Sequence, residues 1–306
     1  GDPTEHPRIR PSINAVAATY RLAHEAATAD LASVHSPLIN APISRFTHLF
    51  RSTDDLVAKV KLQRILGRIT GTCFQRCVGM DALNALHVAT FDAGPTVHAR
   101  FVDWLVGVQV RDDVICGAMT DAKGNRRLRP PEQPDQFLRI VERRDDGVVI
   151  RGAKLHQTGS ANSHWVLVMP GQGLRPGEED FAVAAAIPVE ASGLTMVLGR
   201  QPSDERKSTP DAGNLEYSGQ ECIILFDDVF VPAAHVFLDG QIDAAATMLD
   251  AFGGYHRSSY GGCKPGNLDV LIGAASALTE ETGVRGTAHV RAKLTEMSAH
   301  AETIHG

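Results

Sequence analysis

Long apolar runs are missing from this chain. Nowhere in its 306 residues do roughly 18 apolar residues follow one another, the length a helix needs to cross a bilayer. A secretory leader is not seen either, so the expectation is a cytoplasmic protein with no membrane partner. Positive charge is not in excess: 30 Lys and Arg against 36 Asp and Glu leave a net charge of −6 and an isoelectric point near 6.1. That balance argues against general nucleic-acid binding, although a local basic patch for phosphate groups would not show in the total. Cysteine is scarce, and five residues, an odd number, at these spacings are not a disulfide framework. No internal repeat, low-complexity tract or nucleotide-binding Gly-x-Gly-x-x-Gly after a strand is present. What remains, 43% hydrophobic residues over this length, suffices to bury a substantial core in two or three domains.

The texture of the chain divides it in three. Helical periodicity runs from about residue 13 to 110, with helices expected over 14–32 and 53–87. Between about 113 and 234 it gives way to short alternating runs at 137–142, 148–155, 165–169, 181–188, 194–198 and 222–231. Asp145-Asp146-Gly147 between two of these runs is a hairpin signal. Past residue 240 helical patterns resume at 244–252, 267–282 and 287–304, separated by glycine-containing turns. The fold class expected is α+β: an N-terminal helical domain (1–112), a compact antiparallel β domain (113–240) and a C-terminal helical segment (241–306).

Two elements carry chemistry. Cys73 and Cys77 sit in a stretch whose apolar residues recur at 62, 65/66, 69, 73, 77 and 80, a helical spacing that turns both thiols to the core. Side chains four apart on a helix hold their Cβ atoms about 5–6 Å apart, beyond the roughly 3.5–4.5 Å of a disulfide. The pair therefore suits a shared metal better than an S–S bond, although buried cysteines are also ordinary core residues. The second element, Gly253-Gly-Tyr-His256-Arg-Ser-Ser-Tyr260-Gly-Gly-Cys263-Lys264, sets a His and a Cys beside paired glycines that let a backbone approach a bulky group. Three thiolates and an imidazole form a set that holds an iron–sulfur cluster or a structural zinc. The separation of the two halves, about 180 residues, is unlike a compact zinc module and leaves zinc open. Cys116 and Cys222 read as buried bystanders.

Several blocks in one order, His6-Pro-Arg-Ile-Arg-Pro-Ser-Ile-Asn14, Cys73-Phe-Gln-Arg-Cys77-Val-Gly-Met-Asp81, Gly117-Ala-Met-Thr-Asp-Ala-Lys-Gly124, Arg151-Gly-Ala-Lys-Leu-His-Gln-Thr-Gly-Ser160, Gly219-Gln-Glu221 and Tyr255-His-Arg-Ser-Ser-Tyr-Gly-Gly-Cys-Lys264, closely resemble the 4-hydroxybutyryl-CoA dehydratases. Those are flavin and [4Fe–4S] enzymes of the 4-hydroxyphenylacetate 3-hydroxylase/4-hydroxybutyryl-CoA dehydratase family, with an acyl-CoA dehydrogenase-like fold. The resemblance implies Cys73, Cys77, His256 and Cys263 as cluster ligands, the histidine-bound iron acting as a Lewis acid toward substrate. It implies flavin contacts along Met119, Thr120, Asp121, Ala122, Lys123, Gly124, Asn125 and Arg126, and at His156, Gln157 and Thr158. Thr and Gln offer hydrogen bonds to ring heteroatoms and Gly124 lets backbone N–H groups come close.

The implied reaction is dehydration of 4-hydroxybutyryl-CoA to crotonyl-CoA, with a vinylacetyl-CoA isomerisation related to it. Its difficulty is that the β-hydrogen is not acidic. In the family's proposed mechanism the α-proton is removed, one electron passes to FAD, the resulting enoxy radical has an acidic β-hydrogen, and water leaves as the electron returns. His256, with an ordinary pKa of about 6.5, is the candidate base. Tyr260, on the same face if the segment is helical, would donate to the hydroxyl or polarise the thioester. Glu221, opening an apolar strand, is a proton carrier with a raised pKa or else the partner of a nearby cation. Lys264 would orient substrate or tune cluster charge, and Arg64 and Gln75 are candidate contacts for the acyl-CoA.

The chain stops partway through the helical bundle expected of the family. The expectation is therefore association, as a homo-oligomer, a tetramer by resemblance, with a second polypeptide possible to complete the bundle. Two other readings stand beside the dehydratase: a flavin monooxygenase of the same fold, which needs no cluster, and a non-catalytic metal-binding subunit.

Overall fold

The structure, a computed structural model, describes residues 5–7, 9–199 and 216–305; Arg8, inside the first block quoted above, and Gly306 lie outside them. The first region opens with α1 (Arg10–Arg21), started by Pro11, and the single turn α2 (Ala29–Ala32), so the helix expected over 14–32 is broken in two. A short hairpin that sequence periodicity did not show follows, β1 (Ser33–Ser36) against β2 (Ala41–Ser44). Ser52 and Asp55 then exchange side-chain and backbone hydrogen bonds in a capping box that starts α3 (Thr53–Thr70). Gly71, at φ +59°, ends that helix in the left-handed region. The chain turns through residues 71–76, with Gln75 also at positive φ (72°), before α4 (Cys77–Ala93) begins. The expectation of one helix over 53–87 is thereby corrected, and Cys73 lies on the connecting turn while Cys77 opens the next helix. The apolar spacing continues across the break because the turn tucks Phe74 into the same core, where it is fully buried.

After α5 (Pro95–Arg111) come two four-stranded sheets. One has the order β10 (Val236–Asp239), β7 (Val183–Pro188), β6 (Trp165–Val168), β3 (Ile115–Ala118); the other runs β4 (Arg139–Arg144), β5 (Gly147–Thr158), β9 (Glu221–Pro232), β8 (Leu194–Leu198). The β4–β5 hairpin expected from the Asp-Gly signal is present, with Arg144 paired to Gly147 across Asp145 and Asp146. The region is not wholly antiparallel: β3 and β6 pair in parallel, Ile115 beside Trp165 through Ala118 beside Val168. Inward side chains of both sheets, among them Ile140, Ile150, Val168, Val183, Ile224 and Phe226, share one core between them.

The stretch expected as two helices separated by glycine turns is one helix, α6 (Ile242–Glu281), followed by α7 (Ala288–His305). Glycine and Pro265 weaken a helix locally, but tertiary packing decides here. A Cβ at Gly262 would stand 2.7 Å from the Val60 carbonyl oxygen, and one at Gly266 2.3 Å from that of Arg64. These glycines let α6 lie against the backbone of α3. Gly253 and Gly254 have nothing within 4 Å of a built Cβ. Gly262, one of the glycines paired in this segment, thus serves a close approach of helix to helix. Among the described residues no helix is long and apolar enough to cross a membrane.

Gly266→Ala should lower stability by about 1–3 kcal/mol, the usual cost of forced overpacking, whereas Gly253→Ala, on open helix surface, should be neutral or stabilising by up to about 1 kcal/mol. Urea unfolding midpoints compare the two; equal stability of Gly266→Ala and the unaltered chain would contradict the close contact.

Candidate active site

Several elements converge on one site: the turn after α3, the start of α4, the bulged end of β5 beside the start of β9, and the middle of α6. On α6, Phe252, His256 and Tyr260 recur every four residues and therefore share a face. The His256 ring stacks on Phe252 (centroids 5.1 Å apart, 15° between planes) and meets Tyr260 edge-on at 5.3 Å. One turn further, Lys264 places its ammonium 5.6 Å from the Tyr260 ring centroid.

Two cavities meet on this face. The first, about 460 Å³, is lined by Val78, Gly117, Met119, Thr120, His156, Gln157, Thr158, Glu221, Phe252, His256 and Tyr260. The second, about 230 Å³, is lined by Cys73, Cys77, Cys263, Lys264 and their neighbours, and shares Val78, Thr158, Glu221, His256 and Tyr260 with the first. The four candidate ligands thus face one cavity, and five of the eleven candidate flavin residues line the adjoining one. Among the described residues no group of three or more His, Cys, Asp or Glu is arranged to hold a metal ion.

Charge in the thiol cavity is unevenly shared. The Cys77 thiol donates toward Cys73, which together with the Gln75 N–H (3.4 Å from Sγ) holds Cys73 below the ordinary thiol range against the opposing effect of burial. Cys77 is pushed up in return by that bond and by burial. Burial likewise pushes Cys263 up to about 11. Cys116 and Cys222 are buried elsewhere, and all five cysteines are free thiols. Glu221 keeps its side chain open to both cavities, yet desolvation raises its carboxyl, offset in part by the Thr158 hydroxyl donating at 2.6 Å. Its partner is that hydroxyl.

The wall of the first cavity is shaped from behind. Between Lys154 and Gln157 the pairing of β5 with β9 slips, and His156 takes φ +55°, a bulge of the sort that re-aims side chains near functional sites. Buried Lys154 donates to the Met119 and Met169 carbonyl oxygens (2.9 Å each) and pairs with Asp121 at 2.7 Å, fixing the path of Met119–Thr120–Asp121. Asp121 is consequently spent inside the wall, its Oδ1 also accepting from the Leu138 N–H. Ala122, Lys123, Gly124, Asn125 and Arg126 do not line either cavity. The space beside Gly124 is filled by Gln133 and Gln136.

Arg64 and Gln75 also stay away from both cavities. The Arg64 guanidinium is bound by Asp269 (3.0 Å) and Glu302 (2.6 Å), which tie α3 to α6 and α7. Gln75 is buried, its amide donating to the Ser12 and Ser218 carbonyl oxygens and accepting from Asn162. Two residues given no role from sequence reach the site from behind: Asp81, 3.0 Å from His256 Nδ1, and Lys59, 2.6 Å from Asp81. A signal for them existed, since Lys59 falls in the Leu62–Leu66 stripe and Asp81 follows Met80 inside an apolar helix, so each puts a charge where only apolar groups are expected.

With that geometry in view, the chain matches the 4-hydroxyphenylacetate 3-hydroxylase N-terminal family over residues 1–238 and the C-terminal family over 245–306, and it belongs to the 4-hydroxyphenylacetate 3-hydroxylase family. It is 49% identical, over 98% of its length, to the 4-hydroxybutyryl-CoA dehydratase/vinylacetyl-CoA-Delta-isomerase of Clostridium aminobutyricum, covering 64% of that protein. It superimposes with a TM-score of 0.94 and 46% identity on an archaeal 4-hydroxybutyryl-CoA dehydratase from N. maritimus, over 99% of this chain and 62% of the other. The chain thus spans less than two thirds of the length of these relatives. The oxygenase component of 4-hydroxyphenylacetate 3-monooxygenase complexed with FAD shares the fold (TM-score 0.82, 22% identity, 99% and 64% covered), as does butyryl-CoA dehydrogenase from Megasphaera elsdenii (0.58, 14%, 94% and 76%). The acyl-CoA dehydrogenase-like fold expected from the sequence is therefore the fold observed.

The raised Glu221 carboxyl has a consequence for stability. Its proton is held more tightly folded than unfolded, so stability falls as pH rises above the ordinary value of 4.5 toward the folded one. Glu221→Gln should therefore be more stable than the native chain at neutral pH, with the difference vanishing below about pH 4. Urea titrations at both pH values check it; a difference that persists in acid would show another cause.

Proposed function

We propose that this chain carries the catalytic centre of a 4-hydroxybutyryl-CoA dehydratase, forming crotonyl-CoA and water, with vinylacetyl-CoA isomerisation as a related capacity. FAD would occupy the first cavity, and a [4Fe–4S] cluster would be held by Cys73, Cys77, Cys263 and His256. The observation that carries the reading is that the thiol cavity and the cavity of the candidate flavin residues share Val78, Thr158, Glu221, His256 and Tyr260 as lining. The donor set fits a cluster. Three thiols and an imidazole surround one space, the imidazole has its other nitrogen tied to a carboxylate, and a cube of four irons does not require its ligands to converge on a single point. When bound, flavin supplies one-electron transfer and the cluster a Lewis-acidic iron.

The chain's own residues would do the rest. His256 Nε2, the ring atom not used by Asp81, would take the α-proton of the acyl chain once it is free of iron. Glu221 lines both cavities, and its raised pKa suits it to hand a proton to the departing hydroxyl. The Tyr260 phenol donates to that hydroxyl or to the thioester oxygen, and Lys264 beside it adds positive charge. Phe252 and Val78 would add apolar surface to the first cavity. The substrate is an acyl-CoA, and the assembly a homotetramer in the cytoplasm.

Anaerobic purification with whatever chain copurifies, followed by iron, sulfide, zinc and flavin analysis and an assay for crotonyl-CoA, tests the proposal. About four irons per chain with flavin and turnover are expected, and Cys73→Ala should lose iron and turnover together. Zinc in place of iron, or flavin with hydroxylation and no dehydration, would sink it.

A further inference from the structure

Behind His256 lies a buried polar network on α3, α4 and α6. Lys59 is fully buried on α3, and its ammonium has three donors. They go to Asp81 Oδ1 at 2.6 Å, the Tyr255 carbonyl oxygen at 2.7 Å and the Ser258 hydroxyl at 3.0 Å, so every proton of a charged Lys59 is placed. Asp81, fully buried on α4, has its other oxygen, Oδ2, 2.7 Å from the Ser259 hydroxyl and 3.0 Å from His256 Nδ1. Gln63 in turn donates to the Ser259 oxygen at 3.0 Å, so the Ser259 proton goes to Asp81. A carboxylate facing an ammonium is an acceptor only. The hydrogen on the Nδ1–Oδ2 contact must then belong to the ring.

We infer that Asp81, oriented by Lys59, is a positioning residue that holds His256 as the Nδ1–H tautomer and leaves the Nε2 lone pair facing the junction of the two cavities. Only a neutral nitrogen with a free lone pair can bind iron or accept a proton, and the hydrogen bond made by the second ring nitrogen decides which nitrogen that is. The chemical use of that lone pair rests on the dehydratase reading; the tautomer does not.

The decisive variant is Asp81→Asn. Lys59 has no proton acceptor role and requires an oxygen, so the new amide must turn its Oδ1 to Lys59 and its NH2 toward His256. A donor facing Nδ1 forces the hydrogen to Nε2 and reverses the tautomer.

The experiment uses the full chain labelled with ring-15N histidine before cluster reconstitution, the His256 signals being identified by their loss in His256→Gln. Long-range 1H–15N spectra should show Nδ1–H at His256 in the native chain and Nε2–H in Asp81→Asn. Iron binding on anaerobic reconstitution should weaken about 10- to 100-fold in the variant, the usual cost of removing a partner behind a metal-binding His. Nε2–H in the native chain, or an unchanged tautomer in a folded Asp81→Asn, overturns the inference. Should Asp81→Asn fail to fold by circular dichroism, the native tautomer alone decides in the same sense. A native chain that takes up no iron and forms no crotonyl-CoA, with the tautomer switching as stated, removes the dehydratase reading and leaves the positioning role standing.

Discussion

The buried ion pair between Lys59 and Asp81 is the point on which the arrangement of the site depends. It joins α3 to α4 directly and reaches α6 through Tyr255, Ser258, Ser259 and His256. Neither charge has access to water, so each is tolerable only because the other is present. Deleting one partner of such a pair typically costs about 3–5 kcal/mol, a large share of a domain's whole stability. The same three helices carry the candidate thiols and imidazole: Cys73 follows α3, Cys77 opens α4, and His256 and Cys263 lie on α6. Residues about 180 apart in sequence are thus brought to one cavity by a pair of charges that lines neither cavity.

Around that pair the packing is of two kinds. Glycine contacts between α3 and α6 set the helices as near as backbones allow, and Arg64 reinforces them from outside through Asp269 and Glu302. Along the opposite wall, Lys154 does for the β region what Lys59 does for the helices, gathering carbonyls from Met119 and Met169 beside Asp121. Both lysines are buried with every hydrogen-bond partner an oxygen, and each stands behind a wall of the site.

Local patterns made much of this legible. Strand β8 was expected with both of its observed bounds, and α7 within a residue at each end, because alternation and helical periodicity there meet no competing constraint. Cys73, Cys77, Cys263 and His256 were found by residue type and spacing and Tyr260 and Glu221 through the resemblance, and these six face shared space. What stayed hidden was non-local. The parallel pairing of β3 with β6 depends on a crossover that no window of sequence contains. The unbroken course of α6 depends on α3 needing Cβ-less neighbours, so its glycines and Pro265 read as turns. Asp81 and Lys59 were visible as charges in apolar stripes, but only the fold shows that each answers the other.

Helix α6 is also a ruler. Phe252 and Asn267 lie 15 positions apart on one rod, about 22 Å at 1.5 Å per residue, and they are the first and last residues of α6 that line the two cavities. Glycine notches at 262 and 266 lock the rod against α3, so it cannot creep along its neighbour in small steps; the next seating would be a full turn away, about 5.4 Å. The span separating the two chambers is therefore set by covalent geometry and not by the softer contacts of loops. Whatever passes from one chamber to the other crosses a gap that thermal motion of the surrounding segments has little means to alter.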